Sequence, residues 1–325
     1  MSEKPDFKLL FCLFIVAVVW GTTYLGIRVA VETMQPWYIT SVRQGLAALI
    51  VLVILLYKRQ LAWIGWENFK LQFIPAILMI VLANGFTTIA EQSVSSGLTS
   101  ILSALSPLVV FLGGTMIGQQ KATLKGFLGV IVGFLGVVFI FREGLGDILD
   151  PNYKTGILFL SIAILSWSAG TIYTKMHTHK SNNIALNLFY QFSIAAIVQY
   201  ALALIINPDV DFDAWSSRSI LATLYLSVFG SVIAFFAYHY ALKRVTAIQV
   251  SVLNYINTII AVFLGWLLLD EVITRDFLIA TILIILGVFI TNYKRTRGTR
   301  AKGELSKAKA EQSGTSNSEL TKQAK

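Results

Sequence analysis

Arg28, Arg43, Glu91 and His239 interrupt stretches of sequence that are otherwise apolar enough to sit in lipid. An ionised group costs about 2.5 to 3.5 kcal/mol at the centre of a membrane helix, so each must be compensated or put to use. Glu91 and Arg43 have two readings. As an ion pair they would clamp two helices together. Otherwise Glu91 would exchange a proton or receive a substrate ammonium, with Arg43 setting its proton affinity. His239 is the residue type that titrates near neutrality, which makes it a further candidate for moving charge. Lys243 and Arg244 beside it suit a headgroup position equally well. Arg28 stands four residues before Glu32, the spacing of a local helical pair.

A binding pocket in such surroundings needs aromatic walls and a few hydrogen-bonding groups. The candidates within the apolar runs are Trp20, Thr23, Tyr24, Asn84, Ser103, Ser106, Trp167, Tyr190, Gln191, Tyr238, Asn254 and Asn257. Trp20 and Trp167 stand out because tryptophan usually collects at membrane interfaces, and both fall mid-run. Asn254 and Asn257 share a helix face, where they would bind solute or glue helices. Gln44 and Gln191 suit fold maintenance as well as binding. No metal or other cofactor is expected: Cys12 is the single cysteine, and His177 and His179 have no carboxylate nearby. A phosphate-binding glycine loop, paired aspartates, a Ser-His pair and a His-Glu zinc motif are all missing at membrane depth, which argues against ATP use and against an intramembrane enzyme.

The elements that position these residues follow from composition. Of 325 residues, 56% are hydrophobic and only 13% charged, and the mean hydropathy is +0.71. Ten stretches are long and apolar enough to span a bilayer: 8–31, 37–57, 70–90, 96–118, 124–141, 155–175, 184–206, 219–241, 247–269 and 277–293. Backbone groups in hydrocarbon must be satisfied within each segment, so the expected fold is an all-α membrane protein. The net charge of +9 does not signal nucleic acid, because Lys and Arg sit in short loops between spans. Those loops encode orientation. With both termini cytoplasmic, the inner loops hold Lys58, Arg59, Lys70, Lys121, Lys125, Lys175, Lys180, Lys243 and Arg244, with Lys294, Arg295, Arg297 and Arg300 beyond the last span, and the outer loops hold only Arg142, Lys154, Arg218 and Arg275 among many Asp.

The chain also reads as a duplication. One register pairs Trp20 with Trp167, Arg28 with Lys175 and Gln44 with Gln191. A second pairs Ala90 with Ala241, Ser100 with Ser251, Gly114 with Gly265, and Leu135-Gly136-Val137 with Leu286-Gly287-Val288. Five spans per half is an odd number, so like-folded halves enter the membrane from opposite sides and form inverted repeats. The expected division is 1–7 as a cytoplasmic N-terminus, 8–142 and 155–293 as five-helix repeats, 143–154 as an external linker and 294–325 as a disordered cytoplasmic tail. Gly126, Gly129, Gly133 and Gly136 form a small-residue stripe for close helix packing, partly repeated by Ala280 and Gly287.

Trp20-Gly21-Thr22-Thr23, Arg43 with Ala47 and Ala48, the run from Ala90 to Leu98 and Pro107 in the first half, then Leu269-Asp270-Glu271, Thr274 and Gly287-Val288 in the second, together resemble an EamA-type permease of the drug/metabolite transporter superfamily. The resemblance covers about residues 8–293. Gln119-Gln120 stands where the family often has Gly-Glu, and Asn257-Thr258 where it often has a proline. The resemblance implies a secondary transporter of the cytoplasmic membrane, exporting amino acids, related metabolites or drugs by alternating access in exchange for protons. The expected partners are a small-molecule substrate and membrane lipid, with the chain a monomer or homodimer. An uncoupled facilitator or importer, or a non-transporting membrane scaffold or sensor, are the alternatives.

Overall fold

The computed structural model describes residues 6–94, 96–119, 121, 123–140, 154–177, 183–269 and 275–292. The expected linker 143–154 (all but its last residue) and tail 294–325 lie outside the described residues, as do Asp270, Glu271 and Thr274. The chain divides into two compact units, Met1–Thr291 and Asn292–Lys325, and the helix bundle with its cavity belongs to the first. The described residues are helical, with turns between helices and no strand. We number the helices α1 (Phe7–Ala30), α2 (Pro36–Tyr57), α3 (Gly65–Ala90), α4 (Ser96–Ser103), α5 (Ser106–Met116), α6 (Leu124–Ile140), α7 (Lys154–His177), α8 (Ile184–Ile206), α9 (Ser217–Leu242), α10 (Ala247–Ser251), α11 (Leu253–Leu269) and α12 (Arg275–Asn292). Among them α1, α2, α3, α7, α8 and α9 are each long and apolar enough to cross a membrane.

Local chemistry sets these boundaries. The Asp6 carboxylate accepts from the Leu9 amide at 3.1 Å to start α1, and Pro36 opens α2 where a missing N–H costs nothing. Asn183 and Ser216 cap α8 and α9, and Thr246 with Gln249 forms a reciprocal capping box on α10. Pro107 cannot donate to the Ser103 carbonyl four residues back, and the chain breaks there into α4 and α5. Asn254 of α11 supplies the missing donor, its Nδ2 reaching the Ser103 oxygen at 3.4 Å.

α3 and α9 each contain a stretch of wider π-type winding, Ala76–Asn84 and Leu226–Ile233. Such turns cost hydrogen-bond geometry and often mark functional positions. Each is packed by the first long helix of the other half. Gly26 of α1 lies against Leu226, and Gly170 of α7 lies against Met79. α2 and α8 form the most extensive helix pair among the described residues, and α8 is tied to the π stretch of α3 by Gln199 Nε2 donating to the Ile80 carbonyl at 2.9 Å. A polar–aromatic cavity sits where these crossings meet.

The glycine stripe of α6 meets α12. A Cβ on Gly287 would overlap the backbone of Gly133 and lie 2.7 Å from the Gly129 oxygen, and backbone has no rotamer with which to yield. Gly287→Val is therefore expected to lower stability by about 1–3 kcal/mol or more, read as a reduced melting temperature and monodisperse yield in detergent. Gly45→Ala is the control. A Cβ there meets only the Ala196 methyl at an ordinary 4.0 Å, so stability is expected to hold or rise slightly.

Candidate functional site

The cavity between the two sets of helices holds about 90 Å³ of free space, room for several waters in this state. α1 contributes Trp20, Thr23 and Tyr24, and α2 contributes Arg43. Asn84 and Thr87 come from the end of the π turn in α3, and Ser103 and Ser106 flank the α4–α5 break. Trp167 projects from α7, Phe235 from α9, and Asn254 and Asn257 from α11. Nine of the twelve sequence-derived pocket candidates thus converge: Trp20, Thr23, Tyr24, Asn84, Ser103, Ser106, Trp167, Asn254 and Asn257. The Asn257 amide is better placed with its nitrogen turned to donate to the Ala17 and Leu253 carbonyls, each at 3.0 Å, which leaves its oxygen as an acceptor.

One side of the cavity is closed by four rings. Trp20 lies 5.1 Å from Trp167, 5.7 Å from Phe235 and 5.1 Å from Tyr238, centroid to centroid. The Trp167 and Tyr238 rings are 5.5 Å apart. The Trp20 indole N–H donates to the Gly230 carbonyl at 3.2 Å, in the π turn of α9 where backbone oxygens need outside donors. Tyr238 is fully buried beneath this cluster, its hydroxyl 2.6 Å from that of Thr171, so it supports the cavity and does not line it. Tyr190 is elsewhere. It packs with Trp63 and Phe69 and donates to the Ala62 carbonyl at 3.1 Å, in an aromatic group near the N-terminal end of α8.

His239 is also separate from the cavity. Its ring sits 6.1 Å from that of Phe235, on a second, smaller pocket of about 30 Å³ shared with Gln72, Gln191, Tyr173 and Lys243. Only 6% of the residue is exposed. Its Nδ1–H donates to the Phe235 carbonyl at 3.0 Å, and Nε2 has no partner among the described residues. Burial pushes the neighbouring Lys243 ammonium below its ordinary pKa. Gln191 donates to Gln72 Oε1 at 2.8 Å, whereas the Gln44 amide is wholly buried and has no hydrogen-bond partner among the described residues.

The two expected arginine pairings are replaced by others. Arg43 and Glu91 form no ion pair within 4 Å. The Arg43 Nε instead donates to Ser231 Oγ at 2.9 Å, and the side chain lines the cavity. Arg28 turns away from Glu32 and donates to the Glu91 carbonyl at 2.5 Å, and Glu32 pairs with Arg218 at 3.8 Å. The reason is helix chemistry: α3 ends at Ala90, and its last carbonyls lack intrahelical donors and carry the negative end of the helix dipole. Arg28→Met is expected to cost about 1–2 kcal/mol of stability, checked by thermal unfolding in detergent, with little change in solute affinity. Glu91 itself is fully buried, with no hydrogen-bond partner for either carboxylate oxygen among the described residues. The positive charges within electrostatic reach are Arg28 and Arg43.

Sequence reasoning missed Thr87, Ile27 and Phe235 as lining residues. Thr87 falls three residues after Asn84 and four before Glu91, so helical spacing placed it on the same face. Phe235 stands three before Tyr238 in the same way. Nothing in the sequence marked the π turns that rotate these faces inward.

Comparisons with known proteins identify the family and the fold. The model of the EamA-like transporter family matches twice, over residues 7–142 and 154–293. The chain belongs to the EamA-like transporter family. Within that family it is 24% identical over 290 residues to the uncharacterized transporter YoaV of Bacillus subtilis, covering 89% of this chain and 98% of that one. It is 29% identical over 294 residues to the uncharacterized inner membrane transporter YedA of Escherichia coli K12, covering 88% and 90%. Protein PagO of Salmonella typhimurium is 26% identical over 289 residues, covering 89% and 93%. A solved crystal structure superposes with a TM-score of 0.73 at 16% identity, over 89% of this chain and 99% of its own, and so shares the fold. This EamA-like protein is a multi-pass membrane transporter.

Proposed function

We propose that this chain is a secondary transporter of the cytoplasmic membrane that exports a small metabolite through the central cavity by alternating access, coupled to protons. Ten membrane passages, arranged as two inverted five-helix repeats with both termini cytoplasmic, give it two similar halves that exchange conformations around one site. In this reading α4 with α5, and α10 with α11, each make one broken passage, and α6 and α12 complete the halves.

The observation that carries the proposal is the cavity itself. Polar groups from both halves face a small space, four rings close one side, and a buried carboxyl at Glu91 lies near it with no hydrogen-bond partner among the described residues. Trp20, Thr23, Tyr24, Asn84, Ser103, Trp167, Asn254 and Asn257 serve as the solute-binding lining, with Tyr238 as support. Glu91 exchanges protons, and Arg43 biases that exchange by its charge. His239 is the second candidate for proton movement, placed on the far side of the ring cluster. Tyr190 drops to the periphery of this scheme.

The test is transport in proteoliposomes. The purified chain is expected to move radiolabelled solute from a panel of metabolites against its gradient when a pH gradient is imposed, and to stop when an ionophore collapses that gradient. Equal fluxes with and without the gradient would favour an uncoupled facilitator. No flux of any solute above empty liposomes would favour a scaffold.

A further inference from the structure

We propose that the central cavity selects solutes carrying one anionic head group of the carboxylate class, with Arg43 as the residue that binds it. The proposal rests on the transporter reading above and names the substrate chemistry of that same site.

Arg43 is the charged residue among the cavity lining; the other lining groups are hydroxyls, carboxamides, aromatic rings and aliphatic side chains. It is 2% exposed, so its charge has left bulk water. An uncompensated buried charge is among the most unfavourable features a fold can carry, and it persists where something offsets it. Here the protein offsets little. Among the described residues Arg43 makes one hydrogen bond, from Nε to the Ser231 hydroxyl, and no ion pair. A guanidinium carries five N–H donors in a planar fork, and the outer pair matches two carboxylate oxygens. Ser231 occupies the inner edge of that fork and fixes the plane. Gly230 makes room for it, since a Cβ there would lie 3.1 Å from an Arg43 Nη. Arg43 lines the cavity, and among the described residues its outer guanidinium nitrogens have no hydrogen-bond partner, so that edge is open to a cavity ligand.

Glu91 is the competing anion. It lies within electrostatic reach of Arg43 but beyond ion-pair distance, and it does not line the cavity. A solute carboxylate entering from the cavity therefore reaches the guanidinium fork without displacing it. The remainder of the solute would lie against the cavity-facing surfaces of Trp20 and Trp167, which suit an apolar or aromatic body. Asn84 and Ser103 offer hydrogen bonds to any further polar group. A permanent cation has no carboxylate to meet on this lining and meets Arg43 instead, so cationic dyes are excluded.

The experiment uses the full chain, in nanodiscs for binding and in proteoliposomes for counterflow, and two matched pairs of probes, phenylacetate against phenylacetamide and N-acetyl-leucine against N-acetyl-leucinamide, with ethidium as the cation. Ligand-induced thermal protection and inhibition of solute counterflow are the readouts. The acids are expected to bind at least about tenfold more tightly than their amides, with ethidium without effect, because only the acids form a charge-assisted fork with Arg43. Arg43→Lys is expected to retain part of the preference and Arg43→Gln to abolish it. The matched pairs report on the unaltered chain, so the result stands even if both variants fail to fold. Equal binding of acids and amides, or binding of ethidium alone, overturns the anion proposal and leaves the transporter reading in place. Binding of none of the five probes by folded protein also overturns it, and the transporter reading then rests on the proteoliposome flux.

Discussion

Replacing Glu91 with glutamine is expected to abolish solute accumulation driven by a pH gradient while sparing exchange of solute between equal pools. Gradient-driven accumulation should fall at least about tenfold, equivalent to about 1.4 kcal/mol. The argument begins with burial. Glu91 is fully enclosed at the end of α3, and neither carboxylate oxygen accepts a hydrogen bond from the described residues. A carboxylate in that position is a costly charge, and a proton is the ligand that removes the cost. Arg28 and Arg43 pull the other way by favouring the ionised form. A group held between opposing influences of this size changes protonation when a helix shift moves either arginine or admits water. Glutamine keeps the shape and removes the exchange. Because it demands no new space, folding and counterflow are expected to survive, measured by thermal stability and labelled-solute exchange in the same preparation. Equal losses of exchange and driven flux would instead assign Glu91 a purely structural role.

Much of this arrangement was legible in the sequence, and what was not has a physical cause. Apolar runs locate membrane helices because backbone polar groups leave the segment no other structure in lipid. The cavity residues followed from a simple asymmetry, since Trp20 and Trp167 lie mid-run where an indole N–H needs a protein partner. Trp20 has one, the Gly230 carbonyl. Partner choice was not legible. Arg28 at helical spacing from Glu32 looked like a local pair, yet the end of another helix outcompetes one exposed carboxylate for its donors. Arg43 and Glu91 share a neighbourhood but not a bond, a difference of a few ångströms that no one-dimensional pattern encodes. Tyr190 and Tyr238 illustrate the same limit. Both are amphipathic aromatics in long helices, and only the turn of each helix against its neighbours separates a support from a surface ring. The π windings of α3 and α9 shift that turn, and they carry no sequence signature beyond Pro75 ahead of the first.

Trp20→Ala is expected to open the cavity toward the side that carries Lys243 and to cut gradient-driven transport at least about tenfold. The indole touches all three other rings of the cluster, Trp167 of α7 and Phe235 and Tyr238 of α9, as the Trp167 ring does in turn. Each such aromatic contact contributes about 0.5–1.5 kcal/mol beyond the area it covers. The hydrogen bond to Gly230 adds about 1 kcal/mol, and its loss strands a buried carbonyl in a π turn. These contacts exist while the cluster is closed, so their removal acts on the balance between closed and open forms as well as on overall stability. A bias of about 1.4 kcal/mol is a tenfold shift in population. The shift can be read directly, because the chain has one cysteine. In a Cys12→Ser background carrying Ser103→Cys as the cavity reporter, a membrane-impermeant maleimide applied from the Lys243 side is expected to label slowly. Adding Trp20→Ala should raise that rate at least about tenfold, in step with the population shift. Trp20→Phe separates the two contributions. It retains the ring contacts but has no N–H for Gly230, so an intermediate rate is expected. A rate equal to that of the alanine variant would place the closing energy in the hydrogen bond, and an unchanged rate in both variants would mean that the cluster is packing and does not gate.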